Sequence, residues 1–212
     1  MKNTTRTTST VCFFVFALVA TAMAQNGLQS GPSPAVAGPA FDVSVGYTNL
    51  MMRIPSVGHV NLNGVDVSGS VAISPRWGAT ADAGYVRTPN VFDIAHQGYL
   101  LSFHSGPVFY PVEHGRTRLL IRGLAGAGLV DGAVPITQYK YSHGWLARPS
   151  YVVGGGVEQA VFSQFVLRMT GDYLRTSYYD PAGAVRPQNN LRVTVSVVFR
   201  LKERHRKAGD RL

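Results

Sequence analysis

Residues 165–176 read FVLRMTGDYLRT. Taken alternately, Phe165, Leu167, Met169, Gly171 and Tyr173 fall on one side, and Val166, Arg168, Thr170, Asp172 and Leu174 on the other. An extended chain points successive side chains to opposite faces, so this segment is a strand with one uncharged face and one ionic face. The uncharged face is bounded by aromatic rings eight residues apart, Phe165 and Tyr173. That arrangement is the key to the rest of the chain.

The same rhythm runs outward from this segment in both directions. It predicts eight strands, at 41–50, 62–73, 77–87, 97–110, 117–130, 150–159, 164–176 and 188–200. The links between them alternate strictly. Met51 to Asn61, Thr88 to His96, Asp131 to Pro149 and Ser177 to Pro187 are long, whereas Ser74 to Arg76, Pro111 to Arg116 and Ala160 to Ser163 are short. Antiparallel barrels of outer membranes have short turns at one end and longer loops at the other. The expected fold is therefore all-β, an eight-stranded antiparallel up-and-down transmembrane β-barrel over residues 41–201.

The two faces of the predicted strands differ in kind. Asp42, Asp66, Asp82, Glu158 and Asp172, the arginines Arg118, Arg122, Arg168 and Arg192, and His104 all share the polar parity. Eight strands enclose an interior just wide enough for side chains to fill, so these groups are expected to pair there as an ionic network. Arg168 and Asp172, on one face of one strand, are the first expected pair. On the uncharged parity, Phe41, Trp77, Phe109, Phe165 and Phe199 lie toward the short turns, and Tyr47, Tyr85, Tyr99, Tyr151 and Tyr173 toward the long loops. Within a strand these rings are six to ten residues apart. At about 3.3 Å per residue and a tilt near 45°, that spans roughly 14–23 Å, close to the height of an apolar membrane band. Aromatic side chains gather at both membrane–water interfaces, so two belts mark a lipid-facing surface. Arg87 and Arg175, one step beyond tyrosines, are placed to reach water.

The start of the chain has a separate purpose. Lys2 and Arg6 precede a largely apolar run from Val11 to Ala22, and Ala22-Met23-Ala24 precedes Gln25. This is the pattern of a secretory signal peptide over 1–24, cleaved near Ala24-Gln25. The sequence's one cysteine, Cys12, lies inside that segment, so no disulfide framework is expected. Residues 25–40 form a Pro/Gly-rich leader and 202–212 a basic tail, both expected on the periplasmic side. The net charge of +9 is compatible with nucleic acid or with phosphate-rich lipid. An export signal excludes nucleic acid and leaves the lipid.

At this point the sequence resembles the OmpA-type eight-stranded outer-membrane barrels, over about residues 41–201. The carriers are FDVSVGY at 41–47, WGATADAGYV at 77–86, SFHSGPVFY at 102–110, RGLAGAGLV at 122–130, VVGGGVEQA at 152–160 and VLRMTGDYLRTSYY at 166–179. The last strand, LRVTVSVVFRL, is similar to the signal read by the barrel-assembly machinery, although eleven residues follow Leu201 here. The resemblance implies a bacterial outer-membrane location, outer-membrane lipid and lipopolysaccharide as neighbours, and the assembly machinery as a partner during biogenesis. It implies no cofactor.

Three functions compete at this stage. The leading one is a non-enzymatic protein that supports envelope integrity, with loops for surface contacts; Tyr139, Lys140, Tyr141, Trp145 and Arg148 form the candidate loop contact site. The second is a narrow pore, gated or open, for ions or very small solutes. The third and weakest is a lipid A-modifying enzyme built on His104. Its neighbour Ser105 faces the opposite side of the strand, so no nucleophile–base constellation is expected from the sequence. His59, His96 and His114 lack metal-ligand spacing, and no metal site is expected.

Overall fold

The computed structural model describes residues 41–54, 58–91, 96–131, 134–137, 140–142, 144–162, 164–179 and 185–201. The signal segment, the leader and the basic tail lie outside the described residues. In chain order the strands are β1 (Phe41–Ile54), β2 (Gly58–Ala72), β3 (Trp77–Val91), β4 (His96–Phe109), β5 (Glu113–His114), β6 (Thr117–Asp131), β7 (Val134–Thr137), β8 (Lys140–Ser142), β9 (Leu146–Ala160), β10 (Phe165–Tyr179) and β11 (Val185–Leu201).

Eight of these make the wall. The order β4-β3-β2-β1-β11-β10-β9-β6 is closed by pairing of β4 with β6, and every pairing is antiparallel. Closure leaves no free sheet edge, the condition for crossing hydrocarbon with strands. The first and last wall strands meet in register, Phe41 opposite Leu201 and Met51 opposite Leu191. The wall strands run further toward the long loops than the alternation suggested, for example to Ile54 in β1 and from Leu146 in β9. The third long loop also contains the β7–β8 hairpin.

The short turns are self-sufficient in hydrogen bonds. The amides of Ile73 and Ser74 both donate to the carbonyl of Trp77, whose own amide donates to Ser74 Oγ at 3.1 Å. Gly115, between β5 and β6, has φ +59°, a conformation that L side chains rarely adopt.

The wall separates its faces as the alternation demands. Val67 and Ile121 are 44% and 53% exposed, whereas Arg168 and Asp172 are 5% and 0% exposed. Between the aromatic belts no outward side chain is charged. Such a surface is stable against acyl chains and costly against water: each buried CH₂ is worth about 0.8 kcal/mol. The belts are built from cross-strand ring pairs. Trp77 meets Phe109 at 4.7 Å and Phe165 meets Phe199 at 5.1 Å near the short turns, and Tyr85 meets Tyr99 at 6.2 Å toward the loops.

Candidate functional site

The interior is layered along the barrel axis. Nearest the short turns, Glu158 on β9 accepts from Arg118 Nη2 at 2.6 Å and from Arg168 at 2.7 Å, with Arg200 at 3.8 Å. Register explains the choice of partners, because Glu158 is directly opposite both Arg118 on β6 and Arg168 on β10. The Arg118 guanidinium also lies 3.8 Å from the centre of the Tyr110 ring, which packs with Val108 and Leu120. Burial pushes the Tyr110 phenol above its ordinary value. Asp42 is buried at the same end.

The middle layer is a continuous ionic network. Arg122 forks onto Asp172, with Nε at 3.1 Å from Oδ1 and Nη2 at 2.6 Å from Oδ2. Arg192 donates from Nε to Asp172 at 3.1 Å and from Nη2 to Asp82 at 2.9 Å, and its Nη1 lies 3.6 Å from Asp66. Asp82 Oδ1 is 3.0 Å from His104 Nδ1, and His104 Nε2 is 2.8 Å from Ser150 Oγ. Planar guanidiniums suit this role, since each can serve two carboxylates at once. Two inward glycines make room. A Cβ on Gly84 would stand 2.9 Å from Ser102 Oγ and 3.3 Å from Asp66 Oδ2, and one on Gly154 would collide with the Asp172 carboxylate.

The layer toward the long loops is apolar. Leu50, Leu62, Leu100, Leu124, Val152 and Leu174 form its centre, with Met52, Val86 and Tyr178 in the same cluster. Leu50, Leu100, Val152 and Leu174 are at most 2% exposed. At the level of Leu174, directly opposite it, Asn190 donates from Nδ2 to Thr176 Oγ1 at 3.0 Å. The lumen is thus filled by charge at its middle and by hydrocarbon above.

All ten residues of the expected interior network point inward. The expected pair Arg168–Asp172 is not made: Arg168 joins Glu158, and Asp172 joins Arg122 and Arg192. Residues four apart on a strand are separated by about 13 Å, whereas directly opposed residues on neighbouring strands are near 5 Å. Two features escaped the sequence reading. The first is the apolar layer, whose residues share the parity of the charges. The second is Ser150, 46 positions from its histidine and the first residue of the strand expected over 150–159. Its inward parity with Val152 was the one available signal.

Ser150, His104 and Asp82 have the connectivity of a nucleophile, a base and an orienting acid, which the sequence had not suggested. Their surroundings set what this can do. Ser150 is 0% exposed and His104 is 3% exposed, between the apolar layer above and the arginines beside it. The arrangement satisfies three buried polar groups.

Of the candidate loop contact residues, Tyr139 lies outside the described residues, and the side chains of Lys140 and Tyr141 do as well. Trp145 is half-exposed ahead of β9; Arg148 is partly buried, with inward parity. Among the described residues, no group of three or more His, Cys, Asp or Glu side chains is placed to hold a metal.

No protein-family model matches this sequence, and no curated protein matches it. Solved structures do match. Neisserial surface protein A (NspA) superposes with a TM-score of 0.61 at 11% identity, covering 78% of this chain and 100% of that one. Ail, the attachment invasion locus protein of Yersinia pestis, superposes with a TM-score of 0.55 at 17% identity, over 78% and 100%. At such identities the likeness carries the fold alone, and the OmpA-type label fits loosely. This chain has the fold of the eight-stranded outer-membrane β-barrels.

Proposed function

We propose that the protein resides in a bacterial outer membrane as a sealed, non-enzymatic barrel that supports envelope integrity, its long loops available for surface contacts. The observation that carries this reading is the filled lumen: an ionic layer cross-linking six wall strands, beneath a cluster of buried leucines. A chain that spends its interior on bonding strands together makes a stiff wall element. A conducting path would need an open polar track, whereas Leu50, Leu100 and Leu174 pack the lumen beside the buried polar side chains of β11. The uncharged, ring-bounded outer face supports outer-membrane lipid and lipopolysaccharide as its surroundings. The alternating final strand ending in Phe199 supports recognition by the barrel-assembly machinery.

Two measurements test this. Full-length protein isolated from a Gram-negative host is expected in the outer-membrane fraction, with gel mobility that changes on boiling. In planar bilayers the refolded barrel is expected to give a flat current trace. Regular single-channel steps would replace the sealed-wall reading with the pore, and recovery from the soluble periplasm would remove both.

A further inference from the structure

Above the tyrosine belt the outer wall changes from uncharged to cationic on one side of the barrel. Arg175 on β10 is directly opposite Asn189 on β11. The ladder between β1 and β11 ends with Met51 opposite Leu191, and continued by two residues it sets Arg53 alongside Asn189. The backbone amide of Arg53 donates to Asn190 at 3.1 Å, fixing β1 against β11 at this level. Arg53, Arg175 and Asn189 are all exposed with outward parity. Strands lie about 4.8 Å apart, so the two arginines flank the asparagine with Cα atoms roughly 10 Å from each other, near enough for their long side chains to converge.

The asparagine is already oriented. Tyr173 Oη donates to Asn189 Oδ1 at 2.6 Å, which holds the amide by its oxygen and leaves its nitrogen as a donor. No carboxylate stands on the outward face of β10, β11, β1 or β2 among the described residues, and none of them accepts from either guanidinium. The result is a surface whose charges are all cationic among the described residues, at the level just above the interfacial tyrosines. Arginine forks are suited to phosphate oxygens.

From this placement we propose that Arg53, Asn189 and Arg175 form a binding site for a phosphate group on a glycolipid of the outer leaflet, the lipid A moiety of lipopolysaccharide. The occupant follows from height and direction. Side chains that leave the wall just above an aromatic belt meet lipid headgroups, and an outer leaflet rich in phosphorylated glycolipid supplies anions there. The inference rests on the membrane reading above and adds a specific ligand to it.

The test uses full-length protein refolded into phosphatidylcholine vesicles with increasing lipid A, either phosphorylated or stripped of phosphate by phosphatase. The readout is the thermal midpoint of the heat-modifiable gel transition. Phosphorylated lipid A is expected to raise the midpoint saturably; stripped lipid A, or inorganic phosphate added to plain vesicles, is expected to leave it unchanged. Arg53→Gln with Arg175→Gln should weaken half-saturation by roughly tenfold for each arginine lost, and Lys at both positions should restore part of it. Arg76→Gln with Arg116→Gln, an equal loss of charge on the short turns, should leave the response intact. An equal response to stripped lipid A, or a full response from the Arg53/Arg175 variant, would overturn the site while leaving the barrel reading standing. A protein that never enters vesicles would overturn both.

Discussion

Ser150 Oγ lies 2.8 Å from Nε2 of His104, with neither side chain reachable by solvent. The contact joins β9 to β4, which are not neighbours in the wall. It bridges over Gly126 of β6, which is opposite both residues, and ties together two strands that share no ladder. Ser150→Ala leaves one imidazole nitrogen without its partner and is expected to cost about 1–3 kcal/mol of unfolding free energy, read by urea titration in detergent micelles. A fluorophosphonate probe should leave Ser150 unmodified in the folded barrel, whereas labelling would reopen the enzyme reading.

Arg122 and Arg192 share Asp172, so its removal takes the bidentate partner from Arg122 and one of two close carboxylates from Arg192, both buried. Asp172→Leu is expected to destabilise by about 3–5 kcal/mol, the usual result of unpairing a buried charge. The same titration checks it. A loss below 1 kcal/mol would mean that water reaches the middle layer.

The register predicts which charges are coupled. A double-mutant cycle with Arg168→Met and Glu158→Leu should give an interaction energy of about 0.5–3 kcal/mol. The cycle pairing Arg168→Met with Asp172→Leu should give a smaller one, because those two side chains bond to different partners.

Leu50, Leu100 and Leu174 close the lumen toward the long loops. Truncating any one to Ala is expected to cost about 2–5 kcal/mol. Replacing all three with Ser should admit water to the ionic layer, seen as faster amide exchange at Ser150 and Asp172. If exchange is unchanged, the leucines are not the seal.

Much of this was legible in the sequence, for a definite physical reason. A wall one strand thick exposes every residue to one of two environments, so lipid and lumen each write on alternate positions. FVLRMTGDYLRT states both faces within twelve residues. What parity cannot convey is position along the axis. Leu174 and Asp172 share a face, and only the closed barrel shows that one belongs to a greasy layer and the other to an ionic one. Pairing was hidden for a related reason. The Arg168–Glu158 bond depends on cross-strand register, which the turns and barrel closure set jointly. Ser150 was missed because a serine at the first position of an expected strand says nothing of a histidine two wall strands away.

The most direct test is a solvent scan along β2 (Gly58–Ala72). Single cysteines at Val65, Asp66, Val67, Ser68 and Gly69, labelled under denaturing conditions, carry a fluorophore into the refolded barrel in vesicles of brominated phospholipid. Bromine should quench the labels at 65, 67 and 69 strongly and those at 66 and 68 weakly. Quenching that reverses this order, or a water-soluble quencher reaching 65, 67 and 69, would contradict the assignment of the uncharged face to lipid.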